Sequence, residues 1–228
     1  MRVGGLEKVS TADYPGRLSA VVFTQGCNFR CPYCHNPELV RPFGELMDEG
    51  GVLAFLKTRT RYLDGVVISG GEPTLVPDLD EYARKLKGLG YLVKLDTNGS
   101  SPETVKSLVE RHLVDYVALD LKADPAAYPP ELADPKESAS VPETVDLLKS
   151  LPCPHEFRTT CAAPFVNDES IEAIARAAAG DSPLYLQEAR SERVFNPAFM
   201  GRYPDQPGTE DLARFRKIAR RWLPCHIR

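Results

Sequence analysis

Residues 27–36 read CNFRCPYCHN, which spaces Cys27, Cys31 and Cys34 as C-x3-C-x2-C. Clustered thiolates are ligands for zinc or for the irons of an iron–sulfur cluster. Three is one short of the set that closes a structural zinc site. A cubane cluster held by three protein thiolates keeps one iron open to another ligand, so the shortage has a chemical use. Two plainer readings stand beside it: a zinc knuckle completed by His35, and thiols with no common task. His35 directly follows Cys34, an awkward position from which to close the same tetrahedron.

The motif follows the apolar run SAVVFTQ (19–25), with Gly26 as a flexible turn into the loop. Loops at the carboxyl ends of parallel strands are where α/β proteins build sites. The next such end is VVISGGEP. There Gly70 and Gly71 permit close backbone approach to a ligand, and Glu72 can accept hydrogen bonds from a cationic amine. A glycine turn running into Pro73 is the structural alternative. LDTNG and ALDLK end the third and fourth runs and bring Asp96, Thr97, Asp120 and Lys122 to one mouth. Carboxylates there can bind a cation, a ribose or each other, or cap helices.

The elements that must position these residues are short β-rich runs alternating with helical patterns. Six strands are predicted, at 19–25, 65–70, 91–97, 116–122, 155–160 and 184–187. Several are continuously apolar, as parallel strands covered on both faces are. Leu79, Tyr82, Ala83, Leu86 and Leu89 make a helical stripe. Ser101–Pro102 and the start of 141–150 read as helix openings. Leu212, Phe215, Ile218, Ala219 and Trp222 share a face of a C-terminal helix over 210–222, whose other residues include Arg214, Arg216, Lys217, Arg220 and Arg221. The segment 123–140, with four prolines, reads as a long loop. Alternating β and α elements imply βα units, satisfied by an open doubly wound sheet or a barrel. Six strands are fewer than the eight of a complete barrel, so a partial (β/α)6 TIM-like barrel is predicted.

The chain of 228 residues is expected to form one domain, with a core at about 17–190, an N-terminal DYPG segment and the C-terminal helix. A net charge of -4 gives no reason to expect nucleic acid as a partner. No signal-peptide pattern opens the sequence and no run is long enough to span a membrane. A cytoplasmic location is expected, where thiols stay reduced and clustered cysteines suggest metal or redox chemistry. Cys153, Cys161 and Cys225 read as ordinary buried thiols.

CNFRCPYCHN, ISGGEP, LDTNG and ALDLK together resemble the radical S-adenosylmethionine (SAM) enzymes, and within them the activases of glycyl radical enzymes. The stretch STADYPGRLSAVVFTQGCNFRCPYCHNPELV is similar to the activating proteins of anaerobic ribonucleoside-triphosphate reductases, and the pyruvate formate-lyase activating enzymes are close relatives. The likeness spans roughly residues 3–190.

It implies that Cys27, Cys31 and Cys34 hold a 4Fe–4S cluster whose fourth iron takes the amino and carboxylate groups of SAM. One electron from the cluster then cleaves SAM, and the deoxyadenosyl radical takes a hydrogen atom from a partner's glycine. Tyr33 would lie near the adenine. Gly70, Gly71 and Glu72 would receive the methionine amine, and Thr97, Asn98, Asp120 and Lys122 would line the SAM site. Asp96, Thr97, Ala118 and Asp120 match positions that hold a monovalent cation in relatives. Asp13, His35 and Arg158 match positions near the partner's glycine loop, with Gln187 and Arg190 as further contacts. The strand LYLQEAR departs from the formate-lyase activases, which argues against formate-lyase as partner, and the anaerobic reductase is the partner the resemblance implies. A flavodoxin or ferredoxin type donor is implied. Two rival functions remain: a radical SAM enzyme acting on a small molecule, as 7-carboxy-7-deazaguanine synthase does, and a non-catalytic zinc or iron–sulfur module.

Overall fold

The computed structural model describes residues 1–41, 45–189 and 193–228. Its elements, in order, are β1 (Val3–Ser10), β2 (Ser19–Thr24), α1 (Pro37–Val40), α2 (Glu49–Lys57), β3 (Gly65–Gly70), α3 (Leu79–Gly88), β4 (Leu92–Thr97), α4 (Pro102–Glu110), β5 (Tyr116–Asp120), α5 (Pro135–Ser138), α6 (Val141–Ser150), β6 (His155–Cys161), α7 (Asp168–Ala177), β7 (Leu184–Glu188), α8 (Pro197–Met200), α9 (Thr209–Ala219) and β8 (Cys225–Ile227). The strands lie in chain order in one eight-stranded sheet, which is open. A doubly wound sheet reverses its strand order partway. This order never reverses, which is the winding of a (β/α) barrel left unclosed.

All six predicted strands form. The structure adds two. β1 pairs antiparallel with β2, with register shifts between Val3 and Gly5 and between Glu7 and Ser10. β8 pairs in parallel with β7, which pairs in parallel with β6. Neither added strand is a continuous apolar run: β1 carries two glycines and exposed Glu7 and Lys8, and β8 has three residues.

The chain divides into two compact units. The first comprises Met1–Asn28, Glu38–Thr97 and Glu103–Val117. In it β2, β3 and β4 pair in parallel register, Val21 beside Val67 and Val67 beside Lys94. One cluster on this sheet joins Tyr14, Val21 and Val67 with Phe23, Leu92 and Tyr116. Helix α3 buries Leu79, Tyr82, Ala83 and Leu86 of the predicted stripe, while Leu89 follows its end as the C-cap and is half-buried. α2 had no sequence expectation because Gly50 and Gly51 stand in its first turn. Asp48 caps it by accepting from both of their N–H groups, and Val52 and Leu56 are buried.

The second unit comprises Phe29–Pro37, Asn98–Pro102 and Ala118–Arg228. α6 buries Val141, Thr144, Val145 and Leu148, and α9 buries Leu212, Phe215 and Ala219. α9 stops before Trp222, which is exposed and receives the Arg176 guanidinium over its ring. Arg214 of the helix pairs with Asp168 and Asp211, and Arg221, beyond its end, pairs with Glu172, so both bases meet acids of their own unit. The Pro-rich stretch 123–140 is mostly irregular, with the single turn of α5 capped by Asp134. α7, also unpredicted, buries Ile171, Ile174 and Ala175 and opens with a capping box between Asn167 and Ser170.

Gly88 ends α3, is exposed, and has nothing within 4 Å of where a Cβ would stand. Gly88→Ala is expected to stabilise the protein by ~0.5 kcal/mol by restricting the unfolded chain and favouring the helix. A rise in the urea midpoint checks it.

Candidate functional site

In the first unit the β2 and β3 ends are bound backbone to backbone. Gly71 N–H donates to Thr24 O at 2.9 Å and Glu72 N–H to Gly26 O at 2.8 Å. Gly26 N–H and Cys27 N–H donate to Leu39 O and Val40 O at 2.8 and 3.2 Å, which ties the start of the cysteine loop to α1. A Cβ on Gly70 would meet Thr24 N at 2.4 Å, and one on Gly71 would meet Gly26 O at 2.1 Å. Gly70 also has φ of 114°. Both glycines are therefore demanded by the neighbouring strand end itself, a reason that the sequence reading did not give.

Glu72 is fully buried. Its Oε1 accepts from Thr74 N–H at 3.1 Å, Thr74 Oγ1 at 2.6 Å and Thr97 Oγ1 at 2.7 Å. The carboxylate that the GGEP motif offers is thus held by hydroxyls from two strand ends. Thr97 is also buried, and Asp96 accepts from Ser69 Oγ at 3.0 Å through Oδ2. Oδ1 of Asp96 takes a hydrogen bond from the ammonium of Lys94. Asp13 is set by a hydroxyl turn: Ser10 Oγ donates to its Oδ2 at 2.5 Å and accepts from the N–H groups of Ala12 and Asp13 at 3.1 and 3.2 Å. The following DYPG segment turns with Gly16 at φ of 68° and Arg17 N–H on Tyr14 O at 3.1 Å.

In the second unit CPYC forms a turn, Cys34 N–H donating to Cys31 O at 3.0 Å. Pro32 O accepts from Asn196 N–H at 3.0 Å, and the neighbouring Arg30 N–H donates to Leu132 O at 2.8 Å. Cys31 is buried and Cys34 half-buried; Cys27, in the first unit, is half-buried. Burial pushes the Cys31 thiol up to about 11, with Lys122 pulling it down and Cys34 and Asp120 adding to the rise. Tyr33 is buried against Phe165, ring centroids 5.9 Å apart, and Phe165 stacks on Phe199 at 5.6 Å. Among the described residues the Tyr33 hydroxyl has no hydrogen-bond partner. Burial raises its pKa well above the ordinary phenol value.

Asp120 ends β5 between two cations. Arg158 Nε donates to Oδ1 at 2.8 Å and Lys122 Nζ to Oδ2 at 3.4 Å. Burial works to raise its pKa, but these two charges and their hydrogen bonds prevail and hold the carboxyl far below the usual carboxylate range. Lys122 N–H donates to Tyr128 Oη at 3.0 Å, and Tyr128 lies edge-on to Phe29. Asn98 is buried and forms a turn by accepting from Ser100 N–H at 2.9 Å, and Gly99 follows at φ of 81°. Ala118 is buried, and His35 and Gln187 are half-buried. Arg190 lies outside the described residues. Cys153, Cys161 and Cys225 are all buried.

Partners missed by sequence reasoning are Ser69, Thr74, Lys94, Tyr128, Phe165 and Phe199. A lysine two residues before an aspartate in an apolar strand was a legible sign for Lys94. The aromatic partners of Tyr33 lie over a hundred residues away along the chain and carried no local sign.

The donor set fits an iron–sulfur cluster. Three cysteines stand within eight residues, and Cys31 is a buried thiol whose proton iron would displace. Among the described residues no group of three or more His, Cys, Asp or Glu side chains is gathered to hold a single metal ion. A cubane that gives each thiolate its own iron spreads its ligands more widely than one ion does. The buried, unsatisfied Tyr33 hydroxyl is an unfilled polar position beside the same loop.

Two variants probe these supports. Gly71→Ala forces a Cβ onto the Gly26 carbonyl and is expected to cost about 1–3 kcal/mol, read as a lower urea midpoint. Arg158→Met removes the main charge that depresses Asp120. A carboxyl depressed in the folded state stabilises above its unfolded pKa of ~3.9 and loses that contribution as pH falls. The stability gap between parent and variant is therefore expected to be full near neutrality and to shrink below pH ~4, as urea titrations at a series of pH values will report.

A profile of the Radical SAM superfamily matches residues 21–178. A protein of Methanocaldococcus jannaschii, provisionally named a glycyl-radical enzyme activating enzyme, is 36% identical over 97% of this chain and 92% of its own length. A pyruvate formate-lyase-activating enzyme of Staphylococcus aureus is 36% identical over 51% of this chain, and the match spans 51% of that protein. The solved structure of native anSMEcpe with bound AdoMet superposes with a TM-score of 0.61 at 18% identity, covering 90% of this chain and 61% of that one, and shares the fold. A 4Fe–4S cluster and SAM are the cofactors of this superfamily. The chain belongs to the radical SAM superfamily of enzymes, in the family of glycyl-radical enzyme activating enzymes.

Proposed function

We propose that this protein generates a glycyl radical on a partner enzyme, the anaerobic ribonucleoside-triphosphate reductase, by reductive cleavage of SAM in the cytoplasm. The observation that carries the reading is the cysteine loop bound by backbone hydrogen bonds to the GGEP strand end, in a chain 36% identical over 97% of its length to a glycyl-radical enzyme activating enzyme. Among the described residues no helix is long and apolar enough to cross a membrane.

Cys27, Cys31 and Cys34 would hold the 4Fe–4S cluster. When bound, the cluster and SAM supply the electron and the carbon radical that removes hydrogen from glycine. The chain's own residues would bind and orient. Gly70, Gly71 and Glu72 present a rigid backbone edge and a buried carboxylate for the methionine amine. Thr97 fixes that carboxylate through Oε1. Tyr33, buried on the Phe165–Phe199 stack, supplies an apolar surface for the adenine and helps exclude water. Asn98, Asp120 and Lys122 would line the remainder of the SAM site. Arg158 serves by holding Asp120 in place. Asp13, His35, Gln187 and Arg190 would meet the partner's glycine loop. A flavodoxin or ferredoxin type protein would deliver the electron.

The test is anaerobic reconstitution with iron and sulfide, then SAM, dithionite and the candidate reductase, read by electron paramagnetic resonance. A glycyl radical signal supports the proposal. SAM cleavage with no such signal on any glycyl radical enzyme would instead favour a small-molecule substrate. Cys31→Ala is expected to fold but to lose stable cluster binding, seen as iron content and visible absorbance. Asp13→Ala is expected to keep uncoupled SAM cleavage and lose partner activation. Equal loss of both would remove Asp13 from the partner surface.

A further inference from the structure

Lys94 is a fully buried lysine to which none of the chemistry above gives a task. It stands two residues before Asp96 on β4, and side chains two apart on a strand share a face. Its register partner on that face is Val67, and Val67 and Leu92 belong to the apolar cluster around Tyr14. Among the described residues the Lys94 ammonium has one hydrogen-bond partner, Oδ1 of Asp96. Oδ2 of Asp96 is occupied in turn by the Ser69 hydroxyl. In the second unit Asp120 is likewise occupied by cations of the chain, Arg158 on one oxygen and Lys122 on the other.

This does not fit the monovalent cation that the family resemblance implies for Asp96, Thr97, Ala118 and Asp120. A buried carboxylate already paired with a buried ammonium has little attraction left for a second cation, and two cations on one oxygen repel each other.

We infer that Lys94 is a built-in counter-cation at the end of β4, and that this protein binds SAM without a monovalent metal ion. Lys94 is a positioning residue: it holds the Asp96 carboxylate, and with it Ser69 and the strand end that leads into Thr97. The inference rests on reading these strand ends as the SAM site.

Isothermal titration of SAM into the reconstituted protein tests it, in potassium, sodium and tetramethylammonium chloride at equal ionic strength, so that screening is constant. The parent is expected to bind SAM with affinities within about twofold in all three. A loss of about tenfold or more in tetramethylammonium would overturn the inference. Lys94→Met leaves a buried carboxylate without its ammonium. That variant is expected to gain the dependence: it binds SAM at least about tenfold more weakly in tetramethylammonium than in potassium. Without cluster or SAM, its melting temperature should rise with potassium or sodium, while that of the parent stays flat. A Lys94→Met protein indifferent to the cation in both measurements also overturns the proposal. If Lys94→Met does not fold in tetramethylammonium, its rescue by potassium is the same readout. The double variant Lys94→Met/Asp96→Asn removes both charges and should fold and melt indifferently to the cation. Failure of the parent to bind SAM in any salt would instead sink the reading of the strand ends, and the melting comparison would still decide the role of Lys94.

Discussion

Between Thr24–Gly26 and Gly70–Gly71 the two strand ends approach so closely that no side-chain carbon fits. The parallel ladder sets Thr24 opposite Gly70, and two further backbone hydrogen bonds carry the pairing past the ends of the strands into both loops. Because these bonds are between main-chain groups, they fix the loops with little dependence on rotamers. Cys27 leaves one side of this junction and Glu72 the other. A half-buried cysteine and a buried carboxylate therefore inherit their positions from one rigid contact. The glycines, which looked like room for a ligand, first make room for the protein itself.

Much of the frame was legible. The predicted runs at 65–70 and 116–122 mark β3 and β5, the second strand ending at Asp120, and Leu79, Tyr82, Ala83 and Leu86 mark the buried face of α3. What the sequence hid has physical causes. β1 is an edge strand whose Glu7 and Lys8 face solvent, so it has no apolar run, and its register shifts break the alternation. β8 has three residues and draws its order from pairing with β7. α2 overcomes two glycines through the Asp48 cap and the burial of Val52 and Leu56, a tertiary override of weak propensity. The stripe of α7 at Ile171, Ile174 and Ala175 has ordinary helical spacing and is legible in the sequence.

The site residues show the same division. Spacing alone marks the three cysteines as candidate cluster ligands, because such chemistry is written in a local motif. The carboxylates were not separable in that way. Asp13, Glu72, Asp96 and Asp120 are one functional group at four strand or turn ends, and the sequence offers each the same menu of capping, cation binding or ligand contact. Their partners distinguish them. Asp13 takes a serine hydroxyl of its own turn, Glu72 two threonine hydroxyls, Asp96 an ammonium, and Asp120 a guanidinium.

Those partners also order the four by what they can offer a ligand. The Oε1 of Glu72 is held by two threonine hydroxyls and a backbone N–H, whereas Asp96 and Asp120 each meet a cation of the chain. A carboxylate neutralised by a buried cation has surrendered most of its field and acts by shape and hydrogen bonding. By this physical criterion Asp96 and Asp120 are suited to fix the ends of β4 and β5. Besides Lys122 of ALDLK, the cations are Lys94 and Arg158, neither of which belongs to any strand-end motif. They decide what those motifs can do because both are brought to the carboxylates by strand geometry, Lys94 from the same face of the same strand and Arg158 from β6.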